Sequence, residues 1–204
     1  MKTTTPKAPK TVSVPSSAID KAKAEAFVEQ AWEKDILPTI TEYIRIPNKS
    51  PHFDKDWEKN GHMKKAADLI EGWCKKRKLP GLKVERVQLP GRTPLLFMEL
   101  PASAGSSAGD DTIVLYGHLD KQPEMVGWRQ GLGPWTPVRE GDRVYGRGGA
   151  DDGYAAFASL TALEILVAQG VPHARCVILI EGCEESGSYD LPFYIDHLEK
   201  KIGS

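Results

Sequence analysis

The sequence has few cysteines, no long apolar run and almost no net charge. Its three cysteines include no close pair, which predicts reduced thiols in a cytoplasmic protein rather than a disulfide framework. No apolar stretch approaches the roughly 18 to 20 residues that span a bilayer, and none follows the N-terminal lysines as in a secretory signal. The net charge of -1 gives no reason to expect a nucleic acid or an anionic membrane as a partner.

Composition is typical of an ordinary globular domain. Charged residues make up 27% and hydrophobic residues 40% of the 204 positions, which is enough for one good core. Residues 1–16 are rich in Thr, Pro and Lys and bury nothing, so we predict a disordered tail there. Residues 17–204 are predicted to form the folded portion.

Helical and extended patterns alternate along this folded portion. Apolar spacing predicts a helix from Ser17 to Pro47 that is kinked or restarted at Pro38, and a second helix over residues 60–78. Extended runs are predicted at 82–89, 95–100, 113–116 and 177–180, with helices at 154–169 and 191–200 and a long loop or hairpin at 122–142. This alternation, without repeats, favours an α/β fold with a mainly parallel sheet flanked by helices.

Three glycine-rich stretches carry the polar residues that suggest chemistry. They read Gly-His-Leu-Asp at 117–120, Gly-Arg-Gly-Gly-Ala-Asp-Asp-Gly at 146–153 and Glu-Gly-Cys-Glu-Glu-Ser-Gly at 181–187. Asp151 precedes the predicted helix at 154–169 and can cap it, as can Asp152, while Glu184 and Glu185 follow the next strand. In a crossover unit these positions lie at one sheet edge, where ligands bind. His118 joins them if its strand is parallel.

Carboxylates gathered in one place repel one another unless a cation lies among them. His118 offers an imidazole nitrogen, which is a common zinc ligand. Asp120 points to the same side in an extended segment and suits a carboxylate that orients the imidazole. Asp151 has two oxygens and can bridge two metals. Of Glu184 and Glu185, one can ligate metal while the other takes a proton from bound water, whose pKa a metal lowers to about 7.

Each stretch taken alone has an ordinary explanation. A lone His-x-Asp is most often a surface ion pair, and a Glu-Glu pair is most often a solvated turn. A dinucleotide-binding loop is excluded because Asp151 takes the place of its third glycine and would repel a pyrophosphate. His52 and His62 are predicted to be surface side chains.

Taken in this order, the three stretches resemble the M20 metallopeptidase family, and within it the carnosinase-like dipeptidases. The resemblance covers about residues 113–188, and the preceding elements fit the start of the family's catalytic domain. It implies zinc-dependent hydrolysis of amide bonds in dipeptides or at the C-terminus of short peptides, by a metal-bound water. N-acyl-amino-acid deacylation is the alternative within the same chemistry. Trp128 and Trp135 would then border the substrate cleft, although a core position is equally compatible.

The resemblance also implies a role for each residue. It implies two zinc ions, with manganese or cobalt as substitutes, bridged by Asp151. His118 would ligate one metal and Glu185 the other. Glu184 would be the general base, and Asp120 would support His118.

The chain departs from the family pattern in two respects. Gly153 stands where many relatives have Lys, and we expect only a local change there. The family takes two further ligands, an acidic residue and a histidine, from later sequence. Asp190 and Asp196 follow Glu185 too closely to serve, and His197 lies on a predicted surface helix.

The family's lid or dimerisation domain, through which a full-length form can be homodimeric, has no counterpart in these 204 residues. We therefore expect the N-terminal portion of a longer enzyme's catalytic domain, apparently truncated. The alternative is a fragment that is catalytically incompetent because it lacks the remaining ligands.

Overall fold

The described part of the chain begins with nearly continuous helix. A computed structural model describes residues 19–203, so the predicted tail at 1–16 lies outside the described residues. Helix α1 (Lys21–Ala31) leads through a π-helical turn (Trp32–Ile36) into α2 (Leu37–Ile44). Pro38 lies in the first turn of α2, directly after the π-helical turn. The π-helical turn interrupts the α-helix just before Pro38, where the sequence predicts a kink or a restart.

Two further helices follow and are separated by a single glycine. They are α3 (Trp57–Asn60) and α4 (His62–Cys74), and Gly61 between them has a φ of 69°. The helix that was predicted over residues 60–78 therefore ends four residues earlier, at Cys74. Its predicted apolar face is confirmed, because α4 buries Met63, Ala66, Ala67, Ile70, Trp73 and Cys74.

Four strands form the main sheet in the order β1-β2-β6-β3. Their bounds are Lys83–Val87 for β1, Leu95–Leu100 for β2, Thr112–His118 for β3 and Arg175–Glu181 for β6. β3 and β6 are parallel, whereas β2 runs antiparallel to both β1 and β6. The sheet is mixed, so the prediction of a mainly parallel sheet is wrong. The short connection between β1 and β2 reverses the chain, since parallel neighbours need a longer crossover.

Helices cover both faces of this sheet. Alternate strand residues point to opposite faces, so one face packs against α2, α4 and α5 (Ala155–Ala168) and the other against α6 (Leu191–Ile202). The first face buries Leu96, Met98, Leu100, Ile178 and Ile180, and the second buries Leu95, Phe97, Val177 and Leu179. Each such side chain contributes about 1.5–3 kcal/mol when buried. The α/β fold with flanking helices is confirmed.

The segment between β3 and α5 contains a small hairpin. Strands β4 (Val138–Glu140) and β5 (Arg143–Tyr145) pair antiparallel across Gly141 and Asp142. This confirms the prediction of a loop or hairpin in this region. Among residues 19–203, no helix is both long and apolar enough to cross a bilayer.

Candidate metal centre

The carboxyl ends of β3 and β6 bring two of the three glycine-rich stretches together. His118 is the register partner of Glu181 in the parallel pair, and the N–H of Leu119 donates to the Glu181 carbonyl at 2.7 Å. The segment after β3 and the turn after β6 therefore leave the sheet side by side. The parallel arrangement on which the convergence of His118 depended is present.

The third stretch reaches the same edge through the start of α5. The Asp152 carboxylate accepts the backbone N–H of His118 at 3.3 Å. A Cβ at Gly117 would lie 2.6 Å from this carboxylate and 2.3 Å from the Ala155 side chain, so only glycine allows the approach. The predicted capping of α5 by Asp151 or Asp152 is wrong. Tyr154 is the N-cap residue and makes no side-chain cap, and the Asp152 carboxylate is bonded to the His118 N–H instead.

Three side chains offer ligand atoms in one small volume. One atom each from His118, Asp151 and Glu185 lie within 4.8 Å of one another. His118 Nε2 is 3.4 Å from Asp151 Oδ1. Two atoms that bind one zinc ion at about 2.1 Å are at most about 4.2 Å apart, so this pair can share an ion.

Asp120 is fully buried beneath this group. The Nδ1 atom of His118 lies 3.1 Å from the Asp120 carbonyl oxygen and 3.4 Å from its Oδ1 atom. Nδ1 is thus occupied, and Nε2 faces the other carboxylates. The Asp120 carboxylate also accepts the backbone N–H groups of Glu184 at 3.1 Å and Glu185 at 3.0 Å. The sequence suggested contact with His118 but carried no signal for this second set of bonds.

Glu185 has one occupied and one unoccupied carboxylate oxygen. Oε2 accepts a hydrogen bond from Nε2 of Gln122, a residue that sequence reasoning had not singled out. Oε1 is buried and has no hydrogen-bond partner within residues 19–203. A buried acceptor without a partner costs about 1–3 kcal/mol, and a cation bound beside it would remove that cost. The donor set therefore fits a metal ion.

The neighbouring residue Glu184 faces the same group but is more open to solvent. Its side chain is 40% exposed, and Oε2 lies 3.6 Å from His118 Nε2. Both glutamates belong to a 3-10 turn over Glu184–Ser186, which directs the two side chains differently. The structure thus distinguishes a partly buried glutamate, fixed by Gln122, from a more accessible one.

Burial and neighbouring charges shift the pKa values of Glu185 and His118. Burial raises the pKa of Glu185, and the Asp151 charge adds to the rise although the Gln122 bond opposes it. Burial works against a charged His118, yet its bond to Asp120 and the surrounding carboxylates outweigh it and raise its pKa to about 9. The raised pKa of His118 favours its imidazolium form, whose charge is opposite to that of the surrounding carboxylates.

The remaining candidates lie outside the cluster. Asp190 is buried but is bound to Arg92 and Thr93, and His197 is exposed on α6. Trp128 and Trp135 are both half-buried and belong to neither core cluster. His52 is exposed, as predicted, and His62 is half-buried at the start of α4.

Comparison with known proteins connects this geometry to a family. Residues 114–203 match the sequence profile described as Peptidase family M20/M25/M40. The matched segment contains all five residues that we singled out for the site. This segment is similar to the M20 peptidase family.

Two curated relatives show the range of the similarity. The Beta-Ala-His dipeptidase of Mus musculus is 34% identical over 102 residues, which are 48% of this chain and 19% of the mouse protein. The Succinyl-diaminopimelate desuccinylase of Gluconobacter oxydans is 34% identical over 114 residues, which are 54% of this chain and 28% of that protein. The chain thus spans well under half the length of either relative.

The fold itself is shared with a solved dipeptidase structure. Human carnosine dipeptidase 1 superposes with a TM-score of 0.64 and 24% identity, over 89% of this chain and 38% of that chain. Identity at this level shows the fold alone. The shared fold accordingly extends beyond the matched sequence segment.

Proposed function

We propose that this protein, in a form that supplies the remaining ligands, hydrolyses amide bonds in dipeptides or at the C-terminus of short peptides. The observation that carries the proposal is the grouping of His118, Asp151 and Glu185 at the carboxyl edge of the sheet. The buried, unpartnered Oε1 atom of Glu185 supports a cation there. A small peptide is the partner that this chemistry requires.

Three residues would hold a pair of divalent metal ions. Asp151 would bridge the pair, His118 would bind one ion and Glu185 the other. When bound, such ions lower the pKa of a water molecule and polarise the carbonyl that it attacks. One imidazole and two carboxylates suit zinc, which we propose as the metal, and manganese or cobalt would fit as substitutes.

Two further residues would have separate roles. One would transfer the proton of the attacking water, and the other would position the metal ligands. Glu184 is accessible and close to His118, so we assign it as the general base that takes a proton from the attacking water. It would then pass that proton to the leaving amine. Asp120 would hold the His118 ring through Nδ1 and set the turn that carries both glutamates.

N-acyl-amino-acid deacylation is a second candidate with the same chemistry. The desuccinylase relative is 34% identical to this chain, the same value as for the mouse dipeptidase. Both reactions cleave an amide bond, so the proposed centre would serve either. Residues that contact the acyl or amino side chain would decide between them.

We expect the 204-residue chain by itself to show little or no peptidase activity. Three protein ligands shared by two ions leave two for each ion, below the three that a catalytic zinc takes. A homodimeric full-length form is part of the same proposal. So is a cytoplasmic location, which is supported by three buried free cysteines.

Two measurements test the proposed function. Metal content is determined by mass spectrometry after incubation with zinc, and hydrolysis of dipeptides and N-acyl amino acids is followed with zinc added. Strong hydrolysis by the 204-residue chain would contradict the expectation of an incompetent fragment.

The general base is tested in a longer, active form of the protein. Glu184→Gln should lower kcat by about 100- to 10,000-fold and leave the metal content unchanged. Asp151→Asn should lose metal as well as rate. Full activity in the Glu184 variant would rule out its assignment.

A further inference from the structure

Lys121, the residue after Asp120, is fully buried. Its exposed fraction is 0%, which is rare for a lysine unless a carboxylate is paired with it. Here Nζ instead donates to the carbonyl oxygens of Tyr43 and Ile46, both at 2.7 Å, with that of Ile44 at 3.4 Å. These carbonyls lie at the carboxyl end of α2, where a helix leaves its last acceptors unpaired and carries partial negative charge. The Lys121 side chain caps that helix from another segment.

Several other bonds attach the same segment to the end of α2. The Tyr43 hydroxyl donates to the Leu119 carbonyl at 2.8 Å, and the Lys121 Nζ lies 3.9 Å from the Tyr43 ring centroid. The backbone N–H of Lys121 donates to Asn48 at 3.1 Å, and its carbonyl accepts from Ser50 at 2.9 Å. The residues directly after His118 are therefore held in place by main-chain and side-chain hydrogen bonds.

The stem of Lys121 also supports the glycine-rich loop that carries Asp151. A Cβ at Gly148 would lie 2.5, 2.7 and 2.8 Å from three carbons of this stem, so the loop backbone rests directly on it. The loop is closed by the Gly153 N–H, which donates to the Gly148 carbonyl at 2.9 Å. Gly153 in turn lies against the Tyr43 ring, where a Cβ would be 2.3 Å from Cε1.

We infer that Lys121 is a positioning residue, which sets the distance between His118 and Asp151 by fastening both of their segments to the carboxyl end of α2. Burial lowers the pKa of Lys121 to about 6. In either protonation state the amino group has at least two hydrogens, which is enough for the two carbonyls at 2.7 Å. The expected effect of Lys121 on metal binding rests on the proposed function. Its hydrogen bonds to the end of α2 and its contact with Gly148 do not.

The test uses Lys121→Met, which keeps the length of the stem and removes the donors. Zinc binding to the 204-residue chain is measured by calorimetry, and the imidazole ¹⁵N resonances of His118 are recorded without metal. We expect zinc affinity to fall about 10- to 100-fold, as for other residues that orient a ligand. We also expect the His118 resonances to shift in the metal-free protein.

Lys49→Met is the matched control. The backbone of Lys49 forms an isolated β-bridge with that of Lys121. The Nζ atom of Lys49, however, pairs with Glu124 at 3.0 Å on the surface. This variant should leave both the zinc affinity and the His118 resonances unchanged. Gly148→Ala is a second variant, which displaces the loop from the stem with Lys121 intact and should reproduce both effects.

The outcomes separate positioning from simple stabilisation. If Lys121→Met lowers the melting temperature but leaves zinc affinity and the His118 resonances at their original values, the inference is overturned. If Lys121→Met does not fold, the result with Gly148→Ala decides. If the unmodified chain binds no zinc, the metal-free His118 resonances alone decide the role of Lys121.

Discussion

The side chain of Gln122 donates a hydrogen bond to one carboxylate oxygen of Glu185 and leaves the other oxygen buried without a partner in residues 19–203. The bond joins segments that are 63 residues apart in sequence. It fixes the Glu185 carboxylate so that one oxygen remains for a metal ion. This contact gives the first of four predictions.

Gln122→Met should weaken zinc binding by about 10- to 100-fold, because the Glu185 carboxylate is no longer held in one orientation. Isothermal titration of the metal-free protein measures the change. Gln88→Met is the control, since the Gln88 side chain binds only the Arg92 carbonyl at an exposed turn. An unchanged affinity in the Gln122 variant would show that the bond has no role in orienting Glu185.

Asp120→Asn should lower the free energy of unfolding by about 1–3 kcal/mol. The buried Asp120 carboxylate accepts the N–H groups of Glu184 and Glu185, and an amide would turn a donor towards one of them. Urea denaturation of the metal-free protein measures the loss. The exposed substitution Asp110→Asn should change the unfolding free energy by less than about 0.5 kcal/mol. Equal unfolding midpoints for the two variants would contradict the prediction.

His118 should make the metal-free protein less stable at alkaline pH. Its folded-state pKa is raised from 6.5 to about 9, so its protonated form contributes stability that is complete below pH 6.5. That contribution is lost as the pH rises through about 9, and it amounts to roughly 3 kcal/mol. Unfolding free energies of the original protein and of His118→Gln, measured from pH 6 to 9.5, should converge as the pH rises. Parallel curves would rule out the raised pKa.

Gly153→Ala should destabilise the protein by about 1–3 kcal/mol, since its Cβ would overlap the Tyr43 ring. Gly72→Ala is the matched control, because Gly72 lies inside α4 with nothing within 4 Å of an added Cβ. That second change should stabilise the protein by about 0.5–1 kcal/mol, since alanine favours a helix. Thermal and urea unfolding of both variants give the comparison. A tolerated alanine at position 153 would show that the Tyr43 ring moves freely.

The convergence of the three glycine-rich stretches was predictable because it depends on local rules. A helix that follows one strand and precedes a parallel neighbour must start at the carboxyl edge, and β3, α5 and β6 obey this rule. The direction of β2 was not predictable in the same way. Its antiparallel pairing with β6 depends on contacts between residues about 80 positions apart, which periodicity does not report.

The sequence by itself determined which residue types can bind a metal and that His118, Asp151 and Glu185 would lie at one edge of an α/β sheet. Only the tertiary structure decided which side-chain atoms remain available to bind a metal ion. A hydrogen bond from His118 to Asp120, one from Gln122 to Glu185, and the contact of Lys121 with Gly148 orient those atoms. These bonds and contacts join distant segments over a few ångströms, and their geometry exists only after the core has packed.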